Sequence, residues 1–508
     1  MSTSEKDSTK GGAEVDESLA ATGASSGDLD AAWKYLENHR DVDGKSQINL
    51  VALRRKIDFR IVPLMFLCYT LQFLDKVILN YAAVMGIRED LGMLENEFSN
   101  VATFLFVGLL CFEIPNIYFL QAVPAAKWLG LNVILWGTAT ACGAAAHNYQ
   151  TLLVSRVFLG IFEATIAPSL MLISSQWYTK SEQAPRFSFW YLGLGLGQIV
   201  GGLVSYGFQH MGPDARLAGW RTMFLTLGLV TVLVGSAVIL LLPDTPMKAR
   251  WLSDGEKVAL LKHVSVNKTG IENRAFRGEE ILEALKDPQL YLLLLSVVLL
   301  SVSSGVVTTY SAILIRNLGY RPKEAALMNT PSGAVSIFFT LFVGYGIRKQ
   351  SHRWAWIIAC IVPAIIGGAL MSFLPSTNRG GVLAGIYLVN AVVAPLAIFY
   401  NWTVANVGGA TKRAFSAAII SGAFSLGNII GPQTFQDRDK PEYRPAKLAV
   451  MGTQAGCAFT TFLLFLYYVW QNKKRNNTSD VQSEDVALSP ETWARMTDRE
   501  NKQFRYAY

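Results

Sequence analysis

Long apolar stretches recur along most of this chain and leave few folds open to it. A stretch of about 20 apolar residues is long enough to cross a bilayer as one helix. The chain therefore predicts an all-α membrane protein with 12 transmembrane helices in two six-helix bundles. The candidate spans lie near 61–83, 99–121, 129–146, 151–174, 187–209 and 220–242, and then near 289–313, 326–347, 354–374, 381–403, 414–434 and 448–470.

The composition supports a membrane protein and argues against several other classes. Of the residues, 51% are hydrophobic and 16% are charged, against about 25% charged in soluble domains. The net charge of +7 comes from basic residues in short loops, which indicates membrane topology rather than nucleic-acid binding. The cysteines lie inside apolar stretches and the histidines are scattered. We therefore expect no disulfide framework, no metal site and no enzyme activity.

Polar segments divide the chain into five parts. These are an N-terminal tail (1–56), a first six-helix bundle (57–242), a linker (243–287), a second six-helix bundle (288–471) and a C-terminal tail (472–508). The linker and the flanks of the outer spans are rich in Lys and Arg, which accumulate in cytoplasmic loops. We therefore expect a multi-pass plasma-membrane protein with both termini and the linker in the cytoplasm. Two six-helix halves joined by a basic linker are typical of a transporter.

Ionisable side chains inside the spans indicate the candidate site, because each costs about 2.5 to 3.5 kcal/mol at the bilayer centre on insertion scales. They occur only in the first half. Asp75 and Lys76 lie in span one, Glu113 in span two, and Arg156 and Glu163 in span four.

Helical spacing places several of these side chains. Positions seven apart share a helix face, so Arg156 and Glu163 lie on one stripe with Gly160 and Ala167, where small residues leave room for close approach. On span one, Lys76 continues a polar stripe formed by Tyr69, Gln72 and Asn80, whereas Asp75 faces a packed interface.

Depth along the helices brings the charges of the two spans together. At about 1.5 Å per residue, Asp75 and Lys76 lie level with Arg156, and Glu163 lies deeper, near the midplane. These charges predict either a binding and coupling site or two structural salt bridges, Asp75 with Arg156 and Lys76 with Glu163.

Neutral polar side chains provide candidate contacts around the charges. Gln198 is a lone amide in span five, where it either lines a cavity or packs, and Tyr310 and Asn401 offer hydrogen bonds from spans seven and ten. Glu113 stands beside Pro115 at an expected kink, where it either joins the site or only bonds freed backbone groups. Gln72 and Asn80 are further candidates.

Several motifs carry a resemblance to a known family. They are LDKVILNYA at 74–82, SRVFLGIFEATIAP at 155–168, QWY at 176–178, GWR at 219–221, LPDTP at 242–246 and NIIGP at 428–432. With them the chain resembles the anion:cation symporter family of the major facilitator superfamily, in particular its fungal allantoate-permease branch. The resemblance implies proton-coupled uptake of organic anions. It also implies a site at the positions matching the family's charged pairs, Asp75, Lys76, Arg156 and Glu163.

The residues and the resemblance together predict a symporter that imports a small organic anion such as a carboxylate, ureide or vitamin. Asp75 and Glu163 would bind protons, while Lys76 and Arg156 would bind substrate with Gln198, Tyr310 and Asn401. The proton is the coupling ion, no cofactor or metal is expected, and the chain acts as a monomer in the lipid bilayer. Two alternatives stay open: an exporter of a fungal metabolite, and a nutrient-sensing membrane receptor.

Overall fold

A computed structural model of the chain describes Tyr35, 48–211, 216–265, 277–350, 352–479, 496–501 and 503–508. All regular structure in these parts is helical. Long helices, some of them in two segments, lie at each predicted span. They are α1 Leu50–Val84, α2 Glu97–Ala122, α3 Ala125–Gly143, α4 Tyr149–Glu163 with Ile166–Trp177, α5 Lys180–Tyr191 with Gly193–Phe208, α6 Gly219–Leu241, α7 Pro288–Asn317, α8 Pro322–Met328 with Thr330–Lys349, α9 Arg353–Phe373, α10 Arg379–Val389 with Val393–Asn406, α11 Ala410–Gln433 and α12 Arg444–Ser479.

Helix α3 differs from the other long helices in polarity. Among the described residues, 11 helices are long and apolar enough to cross a membrane, and α3, with 19 residues, is not one of them. Its Asn132 and Trp136 are buried, because α3 packs along α6 and α4. Protein rather than lipid therefore covers these two polar side chains.

Within the described residues, the two halves of the bundle meet mainly along three pairs of helices, α1 with α7, α2 with α11 and α5 with α8. The α5–α8 crossing brings two backbones into contact. A Cβ atom on Gly333 would lie 2.3 Å from the carbonyl oxygen of Gly195, and one on Gly195 would lie 2.6 Å from that of Gly333. Both positions require glycine, because any side chain would separate the helices.

Two short helices, Asp254–Ser265 and Gly278–Leu285, lie in the predicted linker. We call the side of the bundle that carries them the linker side. The first of them is held there by His263, whose Nε2 lies 3.1 Å from Glu182 Oε1, and Arg54 Nη1 lies 2.9 Å from the same oxygen. Burial raises the pKa of Glu182, but hydrogen bonds from the Thr179 backbone, Arg54 and His263 outweigh it and lower the pKa to about 2. Glu182 is therefore an anion at neutral pH.

Replacing Gly333 by valine should push α5 away from α8. Overpacking of a close contact costs about 1 to 3 kcal/mol, so we expect Gly333→Val to lower the Tm of the purified protein in detergent. Gly344→Val is the matched control in the same helix, because a Cβ atom there meets nothing within 4 Å. Equal Tm values for the two variants would contradict the close contact.

Candidate substrate and coupling site

Lys76 of α1 and Glu163 of α4 form a buried ion pair. Lys76 Nζ lies 2.6 Å from Glu163 Oε1, and their side chains are 12% and 0% exposed. The Lys76 ammonium also lies 5.8 Å from the centre of the Phe106 ring of α2. This is one of the two pairings that the sequence left open, and it joins the charges of the two spans.

Asp75 and Arg156 also meet, but through the backbone. Arg156 Nη1 donates a 3.1 Å hydrogen bond to the Asp75 carbonyl oxygen, and the Asp75 carboxylate accepts a hydrogen bond from the Trp136 indole of α3. No ion pair joins the Asp75 carboxylate to Arg156 within the described parts. Of the two structural salt bridges that the sequence offered as an alternative to a binding site, the one between Asp75 and Arg156 is therefore not formed.

The Arg156 guanidinium keeps unused hydrogen-bond donors. It is 1% exposed and lies 5.0 Å from the centre of the Phe224 ring. Its Nε and Nη2 atoms make no hydrogen bond to any residue that the structure describes. Buried donors without partners are costly, so this side chain is a candidate ligand-binding group.

Gly160, which lies between Arg156 and Glu163 on α4, lets two helices pack closely. A Cβ atom on Gly160 would lie 1.9 Å from the Leu105 carbonyl oxygen of α2. The sequence predicts close approach of a neighbour to the stripe formed by Arg156, Gly160, Glu163 and Ala167. In the structure that neighbour is the α2 backbone. Because α2 lies so close, Glu163 is held in a packed helix interface.

Helix α4 is interrupted directly after Glu163. Its first segment ends at Glu163 and the second begins at Ile166. Pro168 has no backbone N–H, so it cannot donate to the Ala164 carbonyl four residues earlier. Asn116 of α2 supplies a donor instead, with Nδ2 at 3.4 Å from that oxygen, and its Oδ1 accepts the Thr165 hydroxyl at 3.0 Å.

Asn116 thus bonds a freed backbone group of α4, whereas sequence reasoning considered Glu113 for freed backbone groups at the α2 kink beside Pro115. Asn116 is 0% exposed, and its Oδ1 also accepts the Trp128 indole at 2.9 Å. Glu113 is half-buried and lies near Ser421 of α11, which Tyr400 of α10 also approaches. The carboxylate therefore lies at the α2–α11 contact between the halves.

The predicted amides lie in different surroundings. Gln72 is buried on α1, one turn from Lys76 and close to Glu163. Gln198 is 1% exposed, and neither polar atom of its side chain has a hydrogen-bond partner among the described residues. Asn401 is exposed, and no described contact brings it to the charged residues.

Asn80 joins the two halves. Its Nδ2 donates to Ser311 Oγ at 2.8 Å, and its Oδ1 accepts from the Ala312 backbone N–H at 3.0 Å. Both partners belong to α7, so the amide is occupied by an inter-helix contact. In this structure Asn80 therefore joins α1 to α7, and its role as an accessory group of the charged site stays a prediction.

Tyr310 lies in a closed contact on the side opposite the linker, and no described hydrogen bond joins it to Asp75, Lys76, Arg156 or Glu163. Its hydroxyl shares a 2.6 Å hydrogen bond with Ser99 of α2, and its ring stacks on Phe435 at 4.1 Å between centroids. Nearby, Arg88 Nη2 lies 2.9 Å from Asp437 Oδ1, across the two halves. The Tyr310 hydroxyl and ring therefore close this side in the structure, and its predicted role as a substrate ligand stays a prediction.

Comparison with known proteins identifies the family. The family model of the Major Facilitator Superfamily matches residues 65–432. The chain belongs to this superfamily. Solved transporter structures have the same fold. The structure of a D-xylose–proton symporter superposes with a TM-score of 0.60 at 16% identity, and the match covers 79% of this chain and 97% of the symporter chain. A bacterial homologue of the human lysosomal transporter Spinster, inward-facing, has 0.60 at 18% identity, covering 82% and 96%. These similarities confirm the predicted fold class.

Similar proteins place this chain in the fungal, allantoate permease-like branch of the superfamily. The thiamine pathway transporter THI73 of Saccharomyces cerevisiae is 36% identical over 455 residues, 89% of this chain and 86% of its own. Allantoate permease of the same yeast is 30% identical over 491 residues, 94% and 90%. The MFS-type transporter cnsL of Penicillium expansum is 30% identical over 485 residues, 94% and 93%. The chain is therefore a multi-pass membrane transporter of small molecules and not an enzyme.

Sequence reasoning missed two residues that position the charges of this transporter. Trp136 holds the Asp75 carboxylate, and Asn116 holds the backbone after Glu163. Each carries a polar group inside a span and needs a buried partner. That requirement was visible in the sequence, whereas the identity of the partner was not.

Replacing Asn116 by alanine should destabilise the α4 interruption, because it leaves buried polar groups unpaired at a cost of about 1 to 3 kcal/mol. Pro168→Ala restores a backbone donor for the Ala164 carbonyl, so it should remove part of that effect. A double-mutant cycle on Tm in detergent measures this coupling. Ile117→Ala, at a site 49% exposed on α2, is the control, and strictly additive effects of Asn116→Ala and Pro168→Ala would contradict the assignment.

Proposed function

We propose that this transporter is a proton-coupled symporter that imports a small organic anion across the plasma membrane. It would act as a monomer with both termini in the cytoplasm. The observation that carries the proposal is the buried Lys76–Glu163 pair, with a 2.6 Å contact between the charged groups. Arg156, with its unused donors, lies on the same face of α4.

The pair links proton binding to anion binding through one electrostatic site. While Glu163 is ionised, it neutralises Lys76, and a buried charge needs a partner. When a proton neutralises Glu163, Lys76 becomes available to the carboxylate of a substrate, and Arg156 adds donors to the same anion. Proton and anion therefore favour each other's binding, since each is unfavourable alone.

Asp75 is the second proton-binding group of the proposal. Its carboxylate is 1% exposed, and its Oδ1 has no hydrogen-bond partner in the described parts of the chain. Gln72 and Gln198 would supply neutral contacts to the substrate. Gln198 supports this role best, because both polar atoms of its buried amide lack partners among the described residues.

Two further observations support anion uptake by alternating access. One relative at 30% identity is named allantoate permease, and allantoate is an anion. The contacts Ser99–Tyr310 and Arg88–Asp437 join the halves on the side opposite the linker. In the proposal these contacts open when the halves rock about the site.

Glu163→Gln should abolish proton-driven accumulation and keep exchange. In proteoliposomes, one proton per anion gives about tenfold accumulation for each pH unit of gradient, and we expect the variant to reach a ratio of about one. Counterflow of labelled anion should persist, because Lys76 and Arg156 remain. The substrates to test are allantoate, nicotinate and pantothenate, with thiamine as a cationic comparison.

Glu442→Gln is the matched control, because Glu442 is exposed outside the spans, and it should accumulate substrate like the parent chain. Tm in detergent tests whether Glu163→Gln folds, since Lys76 loses its partner in this variant. A folded Glu163→Gln protein that still concentrates an anion against its gradient would disprove the coupling role.

A further inference from the structure

The C-terminal segment, residues 496–501 and 503–508, packs against the linker side of the second half. It contacts residues of α10, α11 and α12 and the start of α7. Tyr506 of the segment stacks on Tyr468 of α12 at 5.1 Å between ring centroids. The proposed transport mechanism uses none of these contacts.

A buried lysine lies at the centre of this contact. The Lys412 side chain is 1% exposed, and its Nζ lies 2.7 Å from Asp498 Oδ1, 2.8 Å from Asp287 Oδ2 and 2.9 Å from Glu283 Oε1. The carboxylates come from the C-terminal segment, the residue before α7 and the linker helix Gly278–Leu285. One ammonium group therefore joins separate parts of the chain.

The Asp498 carboxylate has a full set of hydrogen-bond donors. Besides Lys412, its Oδ1 accepts the Gly408 backbone N–H at 3.1 Å. Its Oδ2 accepts Gln289 Nε2 at 3.2 Å and the Tyr506 hydroxyl at 2.8 Å. A carboxylate has about four acceptor positions, and burying it is favourable only when they are paired. The surroundings of Asp498 therefore fit a carboxylate and no neutral side chain of the same size.

Two asparagines of the bundle bind the backbone of the segment. Asn406 Oδ1 accepts from the Ala507 N–H at 2.7 Å, and Asn406 Nδ2 donates to the Ala507 carbonyl at 2.9 Å. Asn472 makes the same two contacts with the backbone of Tyr506, each at 2.9 Å. Paired contacts of this kind recognise an extended peptide through its backbone.

The first half has a simpler arrangement at the corresponding place. There Arg186 of α5 binds Asp58 of α1 with two hydrogen bonds of 2.6 Å. In the second half, Lys412 and Asp287 hold the corresponding helices α11 and α7. Without the segment, Gly408 and Gln289 would lose the Asp498 carboxylate as a partner, so this end of the second half is incomplete alone.

We infer that the linker side of the second half is a peptide-binding site whose ligand is the chain's own C-terminal segment. When the C-terminal segment occupies this site, it also ties the linker helix Gly278–Leu285 to the bundle, because the Thr497 hydroxyl of the segment donates to Glu283 Oε2 at 3.0 Å. The segment is thus a removable structural part of the transporter, and the site accepts the same peptide added as a separate molecule.

The test uses a chain ending at residue 495, purified in detergent, and a fluorescent peptide of residues 496–508. A tethered segment has an effective concentration of about millimolar, so unlabelled peptide is added up to about 1 mM. We expect the labelled peptide to bind the shortened chain, measured by anisotropy, and the unlabelled peptide to raise its Tm. The full-length chain should not bind it, because its own segment occupies the site. Equal binding to both chains, or binding to neither, would overturn the inference.

Point variants make the test specific and keep it valid if the shortened chain does not fold. A peptide carrying Asp498→Asn should fail to bind, whereas one carrying Gln503→Ala should bind normally, because Gln503 is exposed. In the full-length protein, Asp498→Asn should lower the Tm by about 3 °C or more, and Gln503→Ala should leave it unchanged. An unchanged Tm for Asp498→Asn would also overturn the inference. None of these measurements needs a transport substrate, so they stand apart from the test of symport.

Discussion

The ion pair between Lys76 and Glu163 sets the main constraint on this structure. Its charges lie inside membrane-spanning helices, where either charge alone would be costly. The pair therefore requires α1 and α4 to stay in contact, and the surrounding residues maintain that contact. Gly160 lets the α2 backbone touch α4, and Asn116 bonds the α4 backbone directly after Glu163.

The neighbouring charges depend on the same packing. Trp136 of α3 donates to the Asp75 carboxylate, and Arg156 donates to the Asp75 backbone. Arg156 is thereby positioned without being neutralised, which leaves a cation with unused donors beside an ion pair. The proposed coupling rests on this arrangement, because a proton or an anion would change which partner the cations need.

The two ends of the bundle are held in different ways. On the side opposite the linker, contacts such as Ser99–Tyr310 and Arg88–Asp437 join one half to the other. On the linker side, the Asp58–Arg186 pair lies within the first half and the Lys412 cluster within the second half. In the proposed mechanism the contacts between halves break as the halves rock, whereas the contacts within a half hold each bundle together.

The sequence determined the spans, the two groups of helices and the charges inside the first half, because each follows from local composition and helical spacing. Only the tertiary structure decided the partners. Tyr310 closes one side, Asp75 is bound by Trp136, and the Asp498 carboxylate completes the Lys412 cluster. Spacing shows which face of a helix a side chain occupies, but the neighbour on that face comes from residues far away in the chain. Packing of the twelve helices brings them together, and no local pattern records it.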